Sequence, residues 1–269
     1  MRIETPWGAQ PVAAYGPDAA RAVVLVGPAL GIRAAYYEQV CRGLAARGFG
    51  VVAADLPGQG ESPVRARRGV GWTYEQLARD HFPAVSAAAR ERFDAPQIWL
   101  GHSIGGQIAL MHAGLSGDVA GVALVASGVP YWRCWSGPRS LKYLGSTQAA
   151  LALSSVLGFF PGEAIGFGGR EATGFIRDWA SVGRSGSYRL PSFDAEAALS
   201  ACSVPVLATC LAGDDWAPWP AIDHALALTA SPVERWTFEH DPAPDHNRWP
   251  RVCPEPIVER VATWIESLL

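Results

Sequence analysis

"WLGHSIGGQIAL", residues 99–110, sets Ser103 between Gly101 and Gly105, at the end of one apolar run and the start of another. An apolar strand-like run, a Gly-x-Ser-x-Gly turn and a helix-forming stretch together make the turn known as a nucleophile elbow. The glycines have a steric reason. A side chain held at the apex takes a left-handed type of backbone conformation, and Cβ atoms two residues to either side would strike the tight turn. A helix starting near Gly106 then aims free backbone N–H groups and the positive end of its dipole at the apex. The motif alone leaves open whether Ser103 is a nucleophile or a turn residue, so its surroundings decide.

Outward from the elbow, "AVVLVG" (22–27), "GVVAAD" (50–55), "QIWLG" (97–101), "VAGVALVAS" (119–127) and "VPVLATCLA" (204–212) are short, nearly continuous apolar runs rich in Val. Such runs read as strands buried on both faces, as in a parallel sheet. Helical stretches lie between them at 35–48, 73–93 and 106–115. Strand alternating with helix implies right-handed crossovers and a mostly parallel, doubly wound α/β sheet. Residues 2–15, with Gly8 at their centre, read as an opening hairpin. The alternation stops after Ser127. Residues 129–196 bring Trp132, Trp135, the apolar "AALALSSVLGFF" (149–160) and the Gly-rich "PGEAIGFGG" (161–169), which suit an inserted, mainly helical cap. Residues 1–128 and 197–269 then form the core, and the terminal "PEPIVERVATWIESLL" spaces Ile257, Val261, Trp264 and Ile265 on one helical face.

A chain of 269 residues can hold one large α/β domain with an insertion. Charged residues make up 17% and the net charge is −3, with no excess that would favour nucleic acid or an anionic membrane. Five scattered cysteines, never spaced as CxxC, suggest neither a disulfide framework nor a zinc site, and reduced thiols fit a cytoplasmic protein. The first ten residues lack the apolar core of a signal peptide, and no apolar run reaches the roughly 18 residues of a membrane helix. The sequence calls for no metal and no cofactor, and it leaves the oligomeric state open, a homodimer included.

A serine hydroxyl is a poor nucleophile at neutral pH, so a histidine must take its proton and a carboxylate must orient that histidine. Of six histidines, His246 is the best base, because "DPAPDHNRWP" is a loop between the last strand-like run and the terminal helix. His240 ends that strand and comes too early. His81, His112 and His224 fall within helical patterns, and His102 reads as a packing neighbour of the serine. The acid should lie just past the strand that follows the insert, where "LAGDDWAP" supplies Asp214 and Asp215. Asp214 is preferred, four residues before Pro218 and nine after Pro205, with Asp215 as the alternative.

An oxyanion formed at Ser103 needs two N–H donors. Ile104, the residue after the nucleophile, supplies one. The turn "VGPALG" supplies the other, and since Pro28 has no N–H, Ala29 is the candidate with Leu30 second. Asp55 in "DLPGQGES" reads as a turn-stabilising residue, and Arg65, Arg67 and Arg68 as a solvated loop, with recognition of an anionic substrate as the lesser reading.

With these pieces in order, the chain resembles the α/β-hydrolase superfamily. "GPALGIRAAYY", "RGFGVVAADLPGQGES", "LGHSIGGQ", "VPVLATCLAGDDWAP" and "DHNRWP" are similar to a bacterial group of hydrolases close to serine aminopeptidase-like and monoacylglycerol lipase-like enzymes. The resemblance implies an α/β-hydrolase fold and cleavage of an ester, thioester or amide through an acyl-serine, with Ser103, Asp214 and His246 on the family's triad. The chain departs from the pattern at one point. The glycine expected three residues before the acid is Leu211, and Gly213 stands one residue before it, which leaves the two aspartates to be decided by structure.

The implied activity is that of a serine hydrolase of carboxylesterase type acting on a small, largely apolar substrate. Leu30, Trp132 and Trp135 are the expected substrate contacts, with Tyr131 at the mouth and the apolar 149–160 segment as a roof. A cofactor-free acyltransferase, a perhydrolase and a carbon–carbon bond hydrolase use the same triad. A silent receptor of the same fold would have no use for one.

Overall fold

Runs that are apolar on both faces have no solvent side, so they are stable as strands only in a sheet covered above and below. The computed structural model describes residues 1–243 and 245–269. Its strands are β1 (Arg2–Thr5), β2 (Gly8–Pro11), β3 (Ala13–Tyr15), β4 (Val23–Gly27), β5 (Gly50–Ala53), β6 (Gln97–His102), β7 (Gly121–Val125), β8 (Phe159–Pro161), β9 (Arg170–Ala172), β10 (Val206–Leu211) and β11 (Val233–Phe238). Seven of them form one sheet in the order β11-β10-β7-β6-β4-β5-β3. Neighbours are parallel except β3, which runs antiparallel to β5. Every residue of β4, β5, β6, β7 and β10 is buried, as the five apolar runs require, while the edge strand β11 is largely exposed. The opening hairpin is β1 with β2; residues 13–15, which the sequence suggested as part of it, leave it to become a sheet edge.

The helices are α1 (Glu38–Ala46), α2 (Tyr74–Gln76), α3 (Phe82–Arg92), α4 (Ile104–Ser116), α5 (Pro138–Leu157), α6 (Gly162–Ile165), α7 (Thr173–Ser185), α8 (Ala195–Ala201), α9 (Trp219–Leu226), α10 (Trp249–Val252) and α11 (Pro254–Glu266). The single helix expected over 73–93 is interrupted by a π turn at Leu77–His81. Pro83 is the cause, since it brings no N–H to the helix interior and its ring crowds the preceding turn. α11 buries Ile257, Val258, Val261, Trp264 and Ile265 as its spacing demands. It lies close to the sheet: a Cβ on Gly121 of β7 would stand 2.9 Å from the Trp264 ring.

Residues between β7 and β10 form α5 to α8 with the small β8–β9 hairpin, so the mainly helical expectation holds with two short strands added. α5 lies on α7, where a Cβ on Gly183 would meet Thr147 at 2.9 Å. Buried Asp178 of α7 ties this segment to the core, accepting from the Tyr74 N–H at 3.1 Å and the Ser192 hydroxyl at 2.7 Å. α8 already belongs to the core, pressed on α4 so closely that a Cβ on Gly114 would stand 1.7 Å from the Ala198 carbonyl oxygen. All five cysteines are unpaired, and burial pushes the Cys41 thiol up to about 12. Among the described residues no group of three or more His, Cys, Asp or Glu is placed to hold a metal ion. Nor is any helix among them long and apolar enough to cross a membrane.

Candidate active site

At the carboxyl end of β6, Ser103 has φ 53° and ψ −121°, a conformation that L residues rarely adopt. The flanking glycines make it sterically feasible. A Cβ on Gly101 would lie 2.2 Å from the Gly106 Cα, and one on Gly105 would lie 2.1 Å from the Gly27 carbonyl oxygen. The apex is held by hydrogen bonds as well: the Ser103 N–H donates to Val125 at 3.0 Å, and the Ser127 hydroxyl donates to the Ser103 carbonyl at 2.6 Å. α4 begins at the next residue with no side-chain cap, leaving its first amides to face whatever occupies the site.

His246 comes from the loop after β11 and Asp214 from the turn after β10. His246 Nε2 lies 3.1 Å from the Ser103 Oγ, and Nδ1 lies 2.7 Å from Asp214 Oδ2. An ionised carboxylate only accepts, so Nδ1 carries the proton and Nε2 is left to accept from the serine hydroxyl. The Asp214 side chain is 1% exposed and that of His246 10%, so the pair is shielded from bulk water. Asp214 Oδ1 also accepts the Trp216 N–H at 2.8 Å. Gly213, with φ +79°, supplies the sharp turn that lets an acid stand there without a glycine three residues earlier. Asp215 faces away. It pairs with Arg139 at 2.5 Å on an exposed surface, and its carbonyl accepts from Trp135 and Tyr143.

Four of the remaining histidines lie elsewhere. His240 is exposed and donates to Pro242. Burial lowers both His81 and His112 to about 4, so they are neutral packing residues. His224 donates to the Gly186 carbonyl at 2.7 Å. His102 is more than a packing neighbour. Its Nε2 donates to the His246 carbonyl at 2.9 Å, so its Nδ1 is an acceptor and receives the Tyr37 hydroxyl at 2.7 Å. Burial holds the His102 imidazole well below its ordinary range, and the nearby His246 adds to this. Sequence reasoning missed Tyr37, which packs at the start of α1 with nothing local to mark it.

Tyr37 also corrects the oxyanion assignment. The Ala29 N–H donates to the Tyr37 oxygen at 3.0 Å, so it is engaged inside the core and cannot serve an oxyanion. Leu30, the second candidate, lines the same cavity as Ser103, and its amide has no hydrogen-bond partner among the described residues. Ile104 lines the cavity beside it.

The cavity over Ser103 measures about 260 Å³ and is walled by Leu30, Gln107, Trp135, Tyr143, Phe167, Phe175, Trp179 and Trp216. Trp135 and Leu30 are therefore where the sequence put them. Trp132 is not. Three residues earlier on a short 3-10 turn, it faces the far side and donates to the Arg184 carbonyl at 3.1 Å, while Tyr131 packs on His224 and Gly186. The 149–160 segment does not roof this cavity either: Val156 is 72% exposed, and Leu153 and Phe160 line a neighbouring space. Phe167, Trp179 and Trp216 were missed; the one sequence signal was Phe167 standing alone between Gly166 and Gly168. Asp55 accepts the Ala34 and Glu61 N–H groups at 2.7 and 2.8 Å, a turn residue as read, and Arg67 and Arg68 line a separate groove.

A parallel sheet in this order, with a serine elbow after β6 and loops from β4, β10 and β11 converging on it, defines the α/β-hydrolase fold. Residues 18–157, just over half of the chain, match the family described as serine aminopeptidase, S33, and the chain belongs to that family. Solved structures match over nearly the whole length. A lipolytic enzyme of the metagenome-derived LipS and LipT pair is 21% identical with a TM-score of 0.63, covering 98% of this chain and 99% of that one. A monoacylglycerol lipase from Paleococcus ferrophilus is 16% identical (TM-score 0.63; 97% and 99% covered). An esterase from Exiguobacterium antarcticum is also 16% identical (TM-score 0.67; 99% of each). At such identities the likeness is one of fold. No curated protein sequence matches the chain.

Proposed function

We propose that this chain is a serine hydrolase of carboxylesterase type, acting on a largely apolar ester. The observation that carries the reading is the unbroken line Ser103–His246–Asp214, at 3.1 and 2.7 Å, with its donor and acceptor roles fixed by the carboxylate. Ser103 Oγ attacks the ester carbonyl as His246 Nε2 takes its proton. The Ile104 and Leu30 N–H groups receive the tetrahedral oxyanion. His246 then protonates the departing alcohol, and water releases the acid from the acyl-serine by the same steps. Asp214 holds the imidazole in the required tautomer and stabilises its charged form. Residues 129–196 act as a cap on a core of 1–128 and 197–269, bringing the aromatic walls to the site. The unpaired thiols support a reducing, cytoplasmic setting.

The test is Ser103→Ala assayed on p-nitrophenyl acetate and with a fluorophosphonate probe. Loss of the nucleophile should lower kcat by about 10⁶ and abolish labelling. A folded variant that turned over ester as fast as the native chain would show that Ser103 is only a turn residue.

A further inference from the structure

The aromatic wall of the Ser103 cavity has a second side. Phe167, Trp179 and Trp216 also line a cavity of about 320 Å³, completed by Ala149, Ala150 and Leu153 of α5 together with Phe160 and Ile165. The partition between the two spaces is thus the thickness of a few rings. The Phe167 and Trp216 rings stack, with centroids 5.0 Å apart and planes 18° from parallel.

The backbone that carries Phe167 is held fast. Its N–H donates to the Gly162 carbonyl at 3.0 Å, and the Gly162 N–H donates back to Gly169 at 2.9 Å. Glu171, buried in the core, accepts from Gly169 at 3.0 Å and from Gln59 at 2.8 Å. Behind the loop, a Cβ on Gly31 would stand 2.3 Å from the Gly168 carbonyl carbon, so the two turns touch backbone to backbone. The Phe167 ring itself is differently placed. It is flanked by Gly166 and Gly168, at φ 71° and 70°, and a Cβ on Gly166 would meet nothing within 4 Å. With the loop fixed, opening the partition falls to rotation of the half-buried ring, a side-chain motion rather than a loop movement.

We propose that the second cavity is the tail compartment for the acyl chain of a long aliphatic ester, and that the Phe167 ring, stacked on Trp216, is the gate between it and Ser103. This rests on the hydrolase reading above. The occupant follows from the wall shared with the Ser103 cavity and from the apolar lining, which leaves Leu153 and Ile165 exposed at 37% and 59% until something covers them. Asp245 and Asn247, which flank His246 in the first cavity and do not line the second, are polar and suit the departing alcohol. A short acyl group fits the first cavity with the gate closed. A longer one must turn Phe167 off its stack before it gains anything from the second cavity.

Chain length therefore acts in three stages. While the first cavity fills, each buried methylene should raise kcat/KM about fourfold. The first acyl group long enough to displace Phe167 breaks its stack on Trp216 and its contacts with Phe160 and Trp179, with ring centroids 6.3 and 5.8 Å away, and should lose at least about two- to tenfold, the worth of one aromatic pair. Longer chains should then climb again. The experiment measures kcat/KM for p-nitrophenyl esters from acetate to dodecanoate, each below its solubility limit, with the full-length chain and three variants. Phe167→Ala should erase the dip and leave a single rise. Ala149→Trp, made at an exposed helix position that lines the tail compartment, should remove the second rise, and Leu153→Glu should do the same; thermal melts check that each is folded. A native profile with no dip, a dip that survives in Phe167→Ala, or a second rise that survives in both Ala149→Trp and Leu153→Glu would overturn the tail compartment. Ser103→Ala separates this from the underlying reading, because a variant that kept turnover at every length would overturn the nucleophile instead.

Discussion

The junction of β6 with α4 and the segment between β7 and β10 both present side chains to one cavity, and they do so by opposite means. At the junction, contacts of 2.1 and 2.2 Å to imaginary Cβ atoms leave no room for a side chain at Gly105 or Gly101, and Ser103 is held in a closely packed turn. In the inserted segment, Phe167 has glycine on both sides, Val156 is 72% exposed, and aromatic rings meet by stacking rather than interlock. Interiors as closely packed as the junction respond to a single added carbon. A wall of partly exposed rings does not. The two regions should therefore answer substitution on different scales, chemistry on one side and chain-length preference on the other.

The largest contrast after the nucleophile itself lies between two neighbouring carboxylates. Asp214→Asn should lower kcat by about 10⁴ with the fold intact, because the amide presents a donor to His246 Nδ1 and favours the wrong tautomer. Asp215→Asn, at the surface beside Arg139, should stay within about twofold, since an exposed pair contributes little. The reverse ranking in ester assays would put the rigid part of the site at the wrong residue.

Tyr37→Phe probes how far that rigidity reaches. It leaves the Ala29 N–H and the His102 Nδ1 without their partner, and through His102 it loosens the main chain at His246. A displacement of the base of this kind should lower kcat about ten- to a hundredfold with KM nearly unchanged. A change confined to KM would mean that Tyr37 acts on the cavity rather than on the position of His246.

Glu171 ties the inserted segment to Gln59 in the loop after β5, and pH measures the bond. Burial raises its carboxyl from 4.5 to about 8, so the folded protein holds this proton more tightly than the unfolded chain does. The stability it contributes is complete below the unfolded value and is lost as pH rises through the folded one. Between pH 5 and 8 the melting free energy should fall by about 1.4 kcal/mol per pH unit on account of this group. Glu171→Gln keeps an acceptor for Gly169 and Gln59, and should flatten that slope in thermal melts; an unchanged slope would assign it to other groups. The smallest effect belongs to Val156→Lys, which should alter stability by no more than about 0.5 kcal/mol, because the side chain is already in water. A loss of several kcal/mol there would mean that this face is covered in solution.

The same division explains what could be read from sequence. Strands β4, β5, β6, β7 and β10 were legible because burial on both faces leaves a short, nearly continuous apolar run, and the elbow was legible because its glycines answer a local steric demand. The interrupted helix at Pro83 could be read in principle, since proline's missing N–H is a local fact, yet the periodicity of 73–93 hides it. Ala29 and Leu30 differ only in which amide Tyr37 claims from eight positions away, and no local pattern records a hydrogen bond across a turn. Asp214 and Asp215 likewise look alike until Gly213 takes its left-handed turn. Trp132 and Trp135 are both large and aromatic, and only packing against α7 and Asp215 decides which one faces the cavity.

The backbone at Ser103 has one more consequence, for how such a chain can change over generations. A φ of 53° is comfortable for glycine and uncomfortable for any other residue, so this position lowers the stability of the fold for as long as it bears a side chain. A lineage selected for thermal endurance alone would drift to glycine here and gain by it. On the proposed role as nucleophile, selection for the reaction is what would keep a serine there, which would make residue 103 a record of use rather than of folding.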